Sequence, residues 1–257
     1  MLQQILEHVF FVGVLDPKRR LFDELIPLPD GTSYNSYVVL GSQKTALIDT
    51  VDPDMTDRFL ANLDMLGIES LDYLICNHAE QDHSGSIPAV LERFPEAKVV
   101  TNAKCQAFLQ DLLHLPESVF RIVQDGEELA LGDKTLRFVY TPWVHWPETI
   151  STYLVEDQIL FSCDLFGSHD GKFDLFVESK EAVYQAAKRY YAEIMMPFAP
   201  TVIKNLDKLA DLPVQMIAPS HGPIHQEPQF IIEAYRQWAD PKPQNEVVIP
   251  YVSMHGS

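Results

Sequence analysis

The sequence predicts a fold of the α/β (α+β) class in which two sheets pack face to face and carry helices on their outer faces. Two observations lead to this class. Short apolar runs of strand length alternate with segments of helical periodicity, and a series of strands and helices occurs twice along the chain. Because a sheet buries one face on another layer and covers the other with helices, two such series predict an αβ/βα sandwich of four layers.

The first half of the chain supplies one predicted sheet and its helices. Within residues 54–66, Phe59, Leu63 and Leu66 have helical spacing, and Gly67 ends this helix. The other predicted strands of this half are 8–15, 36–40, 45–49, 73–76 and 98–101, and the other helices are 87–94 and 103–113.

The second half supplies the other predicted sheet. Its strands are expected at 120–123, 128–131, 135–141, 151–155, 158–162 and 215–218, and its helices at 180–195, 201–209 and 228–238. We assign residues 1–240 to one domain. The composition of residues 240–245, with two prolines, is typical of a linker, so residues 241–257 are expected to be a linker and the truncated start of a further segment.

Composition and charge exclude several classes of protein. The chain has 257 residues, with 19 Lys+Arg against 37 Asp+Glu, and its net charge of −18 would repel nucleic acid and anionic membranes. No apolar run approaches the roughly 18 residues that a membrane span needs. The N-terminus lacks a basic region and a cleavage site, and the three cysteines have no paired spacing. These features favour a cytoplasmic protein.

The segment from Cys76 to Ser86 concentrates metal-ligand side chains. It follows a predicted strand and precedes a predicted helix, a position where open α/β sheets bind ligands. We expect an extended loop there. Four of its side chains are potential ligands: His78, Glu80, Asp82 and His83.

Three further candidates also follow predicted strands. His145 comes after strand 135–141, Asp164 after strand 158–162 and His221 after strand 215–218. A single histidine at a strand end is more often structural than a ligand. Four strand-end segments that present histidine or carboxylate on one edge instead favour a dinuclear metal site.

These residues, in this order, resemble the metallo-β-lactamase superfamily, and specifically the diiron domain of flavodiiron proteins (A-type flavoproteins). Further similar segments are 21–25, 31–35, 145–149 and 190–198. The resemblance covers essentially the whole chain and implies a metallo-β-lactamase-like sandwich. It also implies that one iron is bound by His78, Glu80 and His145, that the other is bound by Asp82, His83 and His221, and that Asp164 bridges them.

Glu80 distinguishes this ligand set from that of the zinc hydrolases of the superfamily, which have histidine at this position. A carboxylate adds a negative charge and a hard oxygen donor, which favours iron in either oxidation state over zinc. The implied cofactor is therefore two Fe ions (Fe²⁺/Fe³⁺) with an oxo, hydroxo or peroxo bridge. With zinc, the same site would activate water for hydrolysis.

Several residues near the predicted ligands are not expected to bind metal themselves. In the superfamily an aspartate at the position of Asp49 supports the metal-binding loop through hydrogen bonds. Strand alternation directs Cys163 away from Asp164, as a small buried side chain. We expect His169 and His225 to be surface or loop residues.

Two tyrosines on the predicted helix 180–195 are candidates for a role beside the metal ions without binding them. The counterpart of this helix lines the iron pocket in the family, so Tyr190 or Tyr191 could donate a proton or hydrogen bond to bound oxygen, and plain core packing is an equal alternative. Many family members carry a histidine near position 24, where this chain has Glu24, so that proton donor is not expected here.

The resemblance implies a core that binds and activates dioxygen or nitric oxide. It acts as an oxidoreductase if an electron donor is supplied. The alternatives are a stand-alone dioxygen- or iron-binding sensor that acts through a signalling protein, and a zinc-dependent hydrolase. Residues 247–257 resemble the start of a flavodoxin domain without the rest of its phosphate loop, so we expect no FMN in this chain. The family also implies a homodimer.

Overall fold

The computed structural model describes residues 2–22 and 25–240, and its framework consists of two large sheets and their helices. In chain order the strands are β1 (Gln3–Leu6), β2 (Val9–Phe11), β3 (Val14–Asp16), β4 (Leu21–Phe22), β5 (Ile26–Pro27), β6 (Thr32–Tyr34), β7 (Tyr37–Leu40), β8 (Thr45–Ile48), β9 (Tyr73–Ile75), β10 (Lys98–Thr101), β11 (Phe120–Ile122), β12 (Glu128–Ala130), β13 (Thr135–Tyr140), β14 (Ile150–Leu154), β15 (Ile159–Cys163) and β16 (Met216–Pro219). The helices are α1 (Thr56–Leu66), α2 (Gln81–Ser84), α3 (Ile87–Arg93), α4 (Ala103–Leu113), α5 (Lys180–Tyr190), α6 (Ala199–Leu209) and α7 (Pro228–Ala239).

The strand order brings one end of several strands to a common edge. The first sheet has the order β1-β2-β7-β8-β9-β10-β11, and the second runs from β12 to β16 in sequence. Strands β8 to β11 are parallel to one another, and β15 is parallel to β16. Strand β13 also runs in the direction of β15, because both are antiparallel to β14. The carboxyl ends of these strands carry the candidate ligands.

The two sheets face each other across an apolar core. Tyr37 of the first sheet and Phe161 of the second have ring centroids 5.1 Å apart. Alternation along β8 directs Ala46 and Ile48 into this core and Leu47 to the opposite face. Helices α1, α3 and α4 cover that opposite face, and α5, α6 and α7 cover the outer face of the second sheet. The predicted four-layer αβ/βα sandwich is confirmed.

Three local predictions differ from the structure. The predicted strand 8–15 is divided into β2 and β3, which belong to different sheets. A β-carbon at Gly13 would lie 2.3 Å from the carbonyl oxygen of Tyr34, so glycine allows the chain to change sheets there. The predicted helix 180–195 is α-helical only to Tyr190 and continues as a π-helical turn over Tyr191–Met195. The third difference is helix α2, which interrupts the extended loop expected after β9.

The proposed linker and truncated segment at 241–257 lie outside the described residues. None of the helices in the described part of the chain is long and apolar enough to cross a membrane.

Candidate metal centre

The candidate metal centre lies at the edge of the sandwich where β9, β13, β15 and β16 end. The segments that follow these strands bring together all of the side chains predicted as ligands. They form two groups: His78, Glu80, His145 and Asp164, and Asp82, His83 and His221. Within each group, one nitrogen or oxygen atom of every residue lies within 4.8 Å of the others.

Glu80 is the central carboxylate of the first group. Its Oε2 lies 3.0 Å from Nε2 of His78 and 3.0 Å from Nε2 of His145. His78 is fully buried, and Glu80 and His145 are partly buried. Two imidazole nitrogens and a carboxylate oxygen therefore face a common point.

Asp82 has the corresponding position in the second group. Its Oδ2 lies 3.1 Å from Nε2 of His221, and its Oδ1 lies 3.3 Å from Nε2 of His83. Helix α2 explains why neighbours in sequence belong to different groups. Glu80 has an extended ψ of 144° just before the helix, whereas Asp82 and His83 lie within it.

Asp164 lies between the two groups and presents one oxygen to each. Its Oδ1 is 3.1 Å from Nε2 of His83 and 3.4 Å from Nε2 of His221. Its Oδ2 is 3.5 Å from Nε2 of His78 and 3.5 Å from Nε2 of His145. This arrangement suits a carboxylate that bridges two cations.

The buried polar atoms of the centre fit a bound cation. Both carboxylate oxygens of Asp82, Nε2 of His83 and Oδ2 of Asp164 are buried without a hydrogen-bond partner among the described residues. Histidine nitrogens lie near these oxygens, but not in hydrogen-bonding geometry. Since buried polar groups almost always have partners, these atoms indicate that metal ions complete the site. Four imidazoles and three carboxylates are a donor set that iron accepts.

Burial alone would lower the pKa of His78, His83 and His221, but contacts with neighbouring carboxylates raise it. Burial by itself would raise the pKa of Asp164, but the charges of His83 and His78 and contact with His221 hold it well below its usual range. Burial would likewise lower the pKa of His221, but contact with Asp164 and Asp82 raises it to about 10. A metal ion would compete with protons for these nitrogens.

Two histidines of the centre are oriented through their Nδ1 atoms. Nδ1 of His221 donates to the carbonyl oxygen of Ser33 across 2.6 Å. Nδ1 of His78 lies 2.7 Å from Oε1 of Glu148, which also accepts from the amide of Ala79 at 3.1 Å. Both contacts leave Nε2 free for a metal. The sequence marks the segment that contains Glu148 as similar to the family, but it predicts no role for this residue.

Asp49 supports the metal-binding loop as expected. Its Oδ1 accepts from the backbone amide of Asn77 at 2.7 Å, and its Oδ2 accepts from the side-chain amide at 2.9 Å. Burial is the main cause that raises the pKa of Asp49 to about 6. The residue has a positive φ of 54°, so these bonds hold a strained backbone position beside the site.

The two tyrosines considered as outer residues occupy different environments. Tyr190 is buried and donates its hydroxyl hydrogen to Oδ1 of Asp164 across 3.0 Å. Burial raises its pKa well above 10, so the hydroxyl keeps its proton at neutral pH. Tyr191 instead packs its ring on Tyr235 and Trp238, with centroid distances of 5.3 and 5.5 Å.

One expectation about a neighbouring residue, the direction of the Cys163 side chain, is wrong. Cys163 is buried as predicted, but its sulfur lies within 4.8 Å of ligand atoms of His83 and Asp164. The pairing of β15 with β16 shifts register before Cys163, and the φ of Cys163 is +55°, so strand alternation does not extend to this position. His169 and His225 lie outside the named strands and helices, as expected, but His225 is buried and His169 is partly buried against the centre. Glu24 lies outside the described residues.

The family model and the relatives of known sequence point to the same family. A family model described as ODP family β-lactamase matches residues 32–222. The chain is 39% identical to an oxidase of reduced coenzyme F420 from Methanothermobacter marburgensis, over 99% of this chain and 65% of the relative. It is 36% identical to a nitric oxide reductase from Moorella thermoacetica, over 97% of this chain and 64% of the relative.

Solved structures agree with these relatives. The rubredoxin oxygen:oxidoreductase from Desulfovibrio gigas has a TM-score of 0.90 at 29% identity and is matched over 95% of this chain and 63% of its own. The flavodiiron protein from Giardia intestinalis has a TM-score of 0.88 at 30% identity, over 93% of this chain and 59% of its own. The chain thus spans just under two thirds of the length of these relatives.

Proposed function

From the premise that this chain belongs to the flavodiiron protein family, as an ODP-type β-lactamase-like domain, we propose that it binds two iron ions and uses them to reduce dioxygen or nitric oxide. One iron is bound by His78, Glu80 and His145, and the other by Asp82, His83 and His221. Asp164 bridges them. The observation that supports this proposal most directly is Asp164, whose two oxygens face different groups of ligands.

The carboxylate at position 80 favours iron chemistry over zinc hydrolysis. Glu80 lies between His78 and His145, so its charge belongs to the metal-binding group itself. Three carboxylates offset much of the positive charge of a ferric pair, and hard oxygen donors suit iron. When bound, the iron pair supplies a position for a small ligand and, from its ferrous state, two electrons.

The protein contributes orientation, exclusion of water and a proton-bearing group. Glu148 and the carbonyl of Ser33 orient His78 and His221 from behind. Burial of Asp82, His83 and Asp164 keeps bulk water away and strengthens the electrostatic interactions of the site. The hydroxyl of Tyr190 holds its proton at Oδ1 of Asp164, where it can donate a hydrogen bond next to the reacting ligand.

Repeated turnover needs electrons from another source. Reduction of dioxygen to water takes four electrons, more than one ferrous pair holds. Two of the relatives are named flavorubredoxin and rubredoxin oxygen:oxidoreductase, so we propose a small redox protein or a flavin as the class of electron donor. The predicted homodimer, the cytoplasmic location and the absence of FMN from this chain stay predictions.

Single-turnover reduction of nitric oxide tests the proposal without an electron donor. Two NO, two electrons and two protons give N₂O and water, so the ferrous pair supplies both electrons. Protein loaded anaerobically with Fe(II) is mixed with NO, and N₂O in the headspace is measured by gas chromatography. We expect close to one N₂O for every two irons, and none from the zinc-loaded protein.

Two other results would contradict the reductase. Iron-loaded protein that holds NO or dioxygen for minutes without forming a product would indicate a binding or sensing role. Hydrolysis of a β-lactam or thioester by the zinc-loaded protein, together with no N₂O from the iron-loaded protein, would indicate a hydrolase.

A further inference from the structure

His169 lies beside the candidate metal centre but belongs to neither group of ligands. Its ring centroid is 5.1 Å from that of His221 and 4.9 Å from that of Tyr190. Phe22 packs on it at 4.9 Å. It therefore contacts one candidate ligand directly and reaches Asp164 through the hydroxyl of Tyr190.

The two ring nitrogens of His169 have different environments. Nδ1 lies 2.8 Å from Oγ1 of Thr32. The other hydrogen-bond contact of that hydroxyl, to the carbonyl oxygen of Ser33, is longer at 3.4 Å. The shorter contact favours donation from Thr32 to Nδ1, which leaves the ring hydrogen on Nε2. Nε2 is buried and has no hydrogen-bond partner among the described residues.

A cavity of about 380 Å³ adjoins His169 from the outside. Its lining includes His169, Tyr190, Leu28 and Arg189. None of the seven candidate ligands lines this cavity, whereas His169 contacts His221, and Tyr190 contacts both Asp164 and His221. These two side chains therefore form the wall between the cavity and the metal centre, where a diatomic molecule that enters would meet them.

We propose that His169 is a ligand-binding residue whose Nε2–H donates a hydrogen bond to the oxygen or nitric oxide bound at the metal centre. This inference rests on the proposed function, because it requires iron at the site. Because Nε2 has no partner among the residues that the structure describes, a molecule bound at the centre can supply the acceptor. The hydroxyl of Thr32 holds the ring in place by donating to Nδ1, which keeps the ring hydrogen on Nε2.

Two substitutions separate this role from that of ring packing. In His169→Gln the side-chain amide reaches the position of Nε2, whereas in His169→Asn it reaches only that of Nδ1. Both substitutions remove the ring that packs on Phe22, Tyr190 and His221. A difference between the two variants therefore reflects the position of the amide and not the loss of packing. His225→Gln, at a buried histidine that bonds to the carbonyl of Phe166, is a further control.

The measurement is the dissociation constant of azide, a small anion that binds ferric iron and accepts hydrogen bonds. It is determined by visible titration of the iron-loaded protein, with iron content measured alongside. We expect His169→Asn to weaken azide binding by about fivefold, the effect of one hydrogen bond, at unchanged iron content. We expect His169→Gln and His225→Gln to stay within about twofold of the original protein.

The other possible results of the azide and iron measurements contradict the inference, and each has a distinct meaning. Equal affinities in both His169 variants and the original protein would mean that Nε2 bonds to a water or to nothing. Equal weakening in both, or loss of iron in both, would mean that the ring only supports His221. Failure of the unsubstituted protein to take up iron would contradict the proposed function and this inference together.

Discussion

Nδ1 of His78 lies 2.7 Å from Oε1 of Glu148, and both side chains are fully buried. The contact places the ring hydrogen of His78 on Nδ1 and leaves Nε2 to face Glu80. Burial alone would raise the pKa of Glu148, but contact with His78 and its charge lower it, so the carboxylate is ionised. Glu148 thereby fixes the tautomer of a candidate ligand and raises its basicity.

Replacement of Glu148 is expected to weaken iron binding. In Glu148→Ala the ring of His78 loses its orienting partner, and loss of such a partner typically lowers metal affinity by about 10- to 100-fold. The measurement is anaerobic competition for Fe(II) with a chelator. Glu96→Gln, at an exposed glutamate, is the matched control. Unchanged affinity in Glu148→Ala would contradict this role.

Replacement of Glu80 is expected to change metal preference. Glu80→His removes one negative charge and a hard oxygen donor from the group that includes His78 and His145, so zinc should compete better with iron. The variant and the original protein are incubated anaerobically with equimolar Fe(II) and Zn(II), and bound metal is measured by mass spectrometry. We expect the zinc-to-iron ratio to rise by about tenfold or more. An equal ratio in both proteins would show that position 80 does not select the metal.

Asn35 is expected to stabilise the fold next to His221. Its side-chain amide donates to the carbonyl oxygens of Pro219 and Gly222, each at 2.8 Å, and so joins the segment between β6 and β7 to the loop that holds His221. Asn35→Ala leaves these buried acceptors with fewer donors, which should cost about 1 to 3 kcal/mol in the free energy of unfolding. Urea denaturation of the metal-free protein measures the change. Gln43→Ala, at an exposed position, should change stability by less than about 0.5 kcal/mol.

Buried His225 is expected to make stability depend on pH. Burial lowers its pKa to about 4, partly opposed by the hydrogen bond to Phe166. Between its folded pKa of about 4 and the ordinary value of 6.5, the unfolded state binds more protons. The stabilisation is therefore complete above pH 6.5 and is lost as pH falls toward 4, up to about 3 kcal/mol.

The comparison of His225→Gln with the original protein isolates this effect. Urea midpoints of both metal-free proteins are measured between pH 7.5 and 4.5, a window chosen around the ordinary histidine pKa of about 6.5. The variant should lose less stability as the pH falls. Parallel curves would mean that His225 takes up its proton equally in the folded and unfolded states.

The ligand residues have local sequence signals, whereas the contacts around them do not. Strand ends are visible in the sequence, so strand patterning alone places His145, Asp164 and His221 on one edge. The helical turn that separates Glu80 from Asp82 gives no periodic signal, because α2 has four residues. Glu148 and His169 contact residues that are distant in sequence, His78 and Thr32, and single-sequence patterns carry no information on such pairs.

The direction of the Cys163 side chain depends on an irregularity at the end of β15. Alternation along a strand assumes regular pairing, but the register of β15 on β16 shifts between Phe161 and Cys163. The left-handed backbone at Cys163 then directs its side chain toward His83 and Asp164. Irregular backbone is common at functional sites, and there the alternation rule fails.

The proposed function requires two irons in adjacent positions joined by Asp164. Anomalous diffraction at the iron edge, from crystals of protein loaded anaerobically with Fe(II), locates the metal directly. We expect two peaks per chain about 3.5 to 4 Å apart, one beside Glu80 and one beside Asp82, with the Asp164 carboxylate between them. A single peak, or iron bound away from these residues, would contradict it.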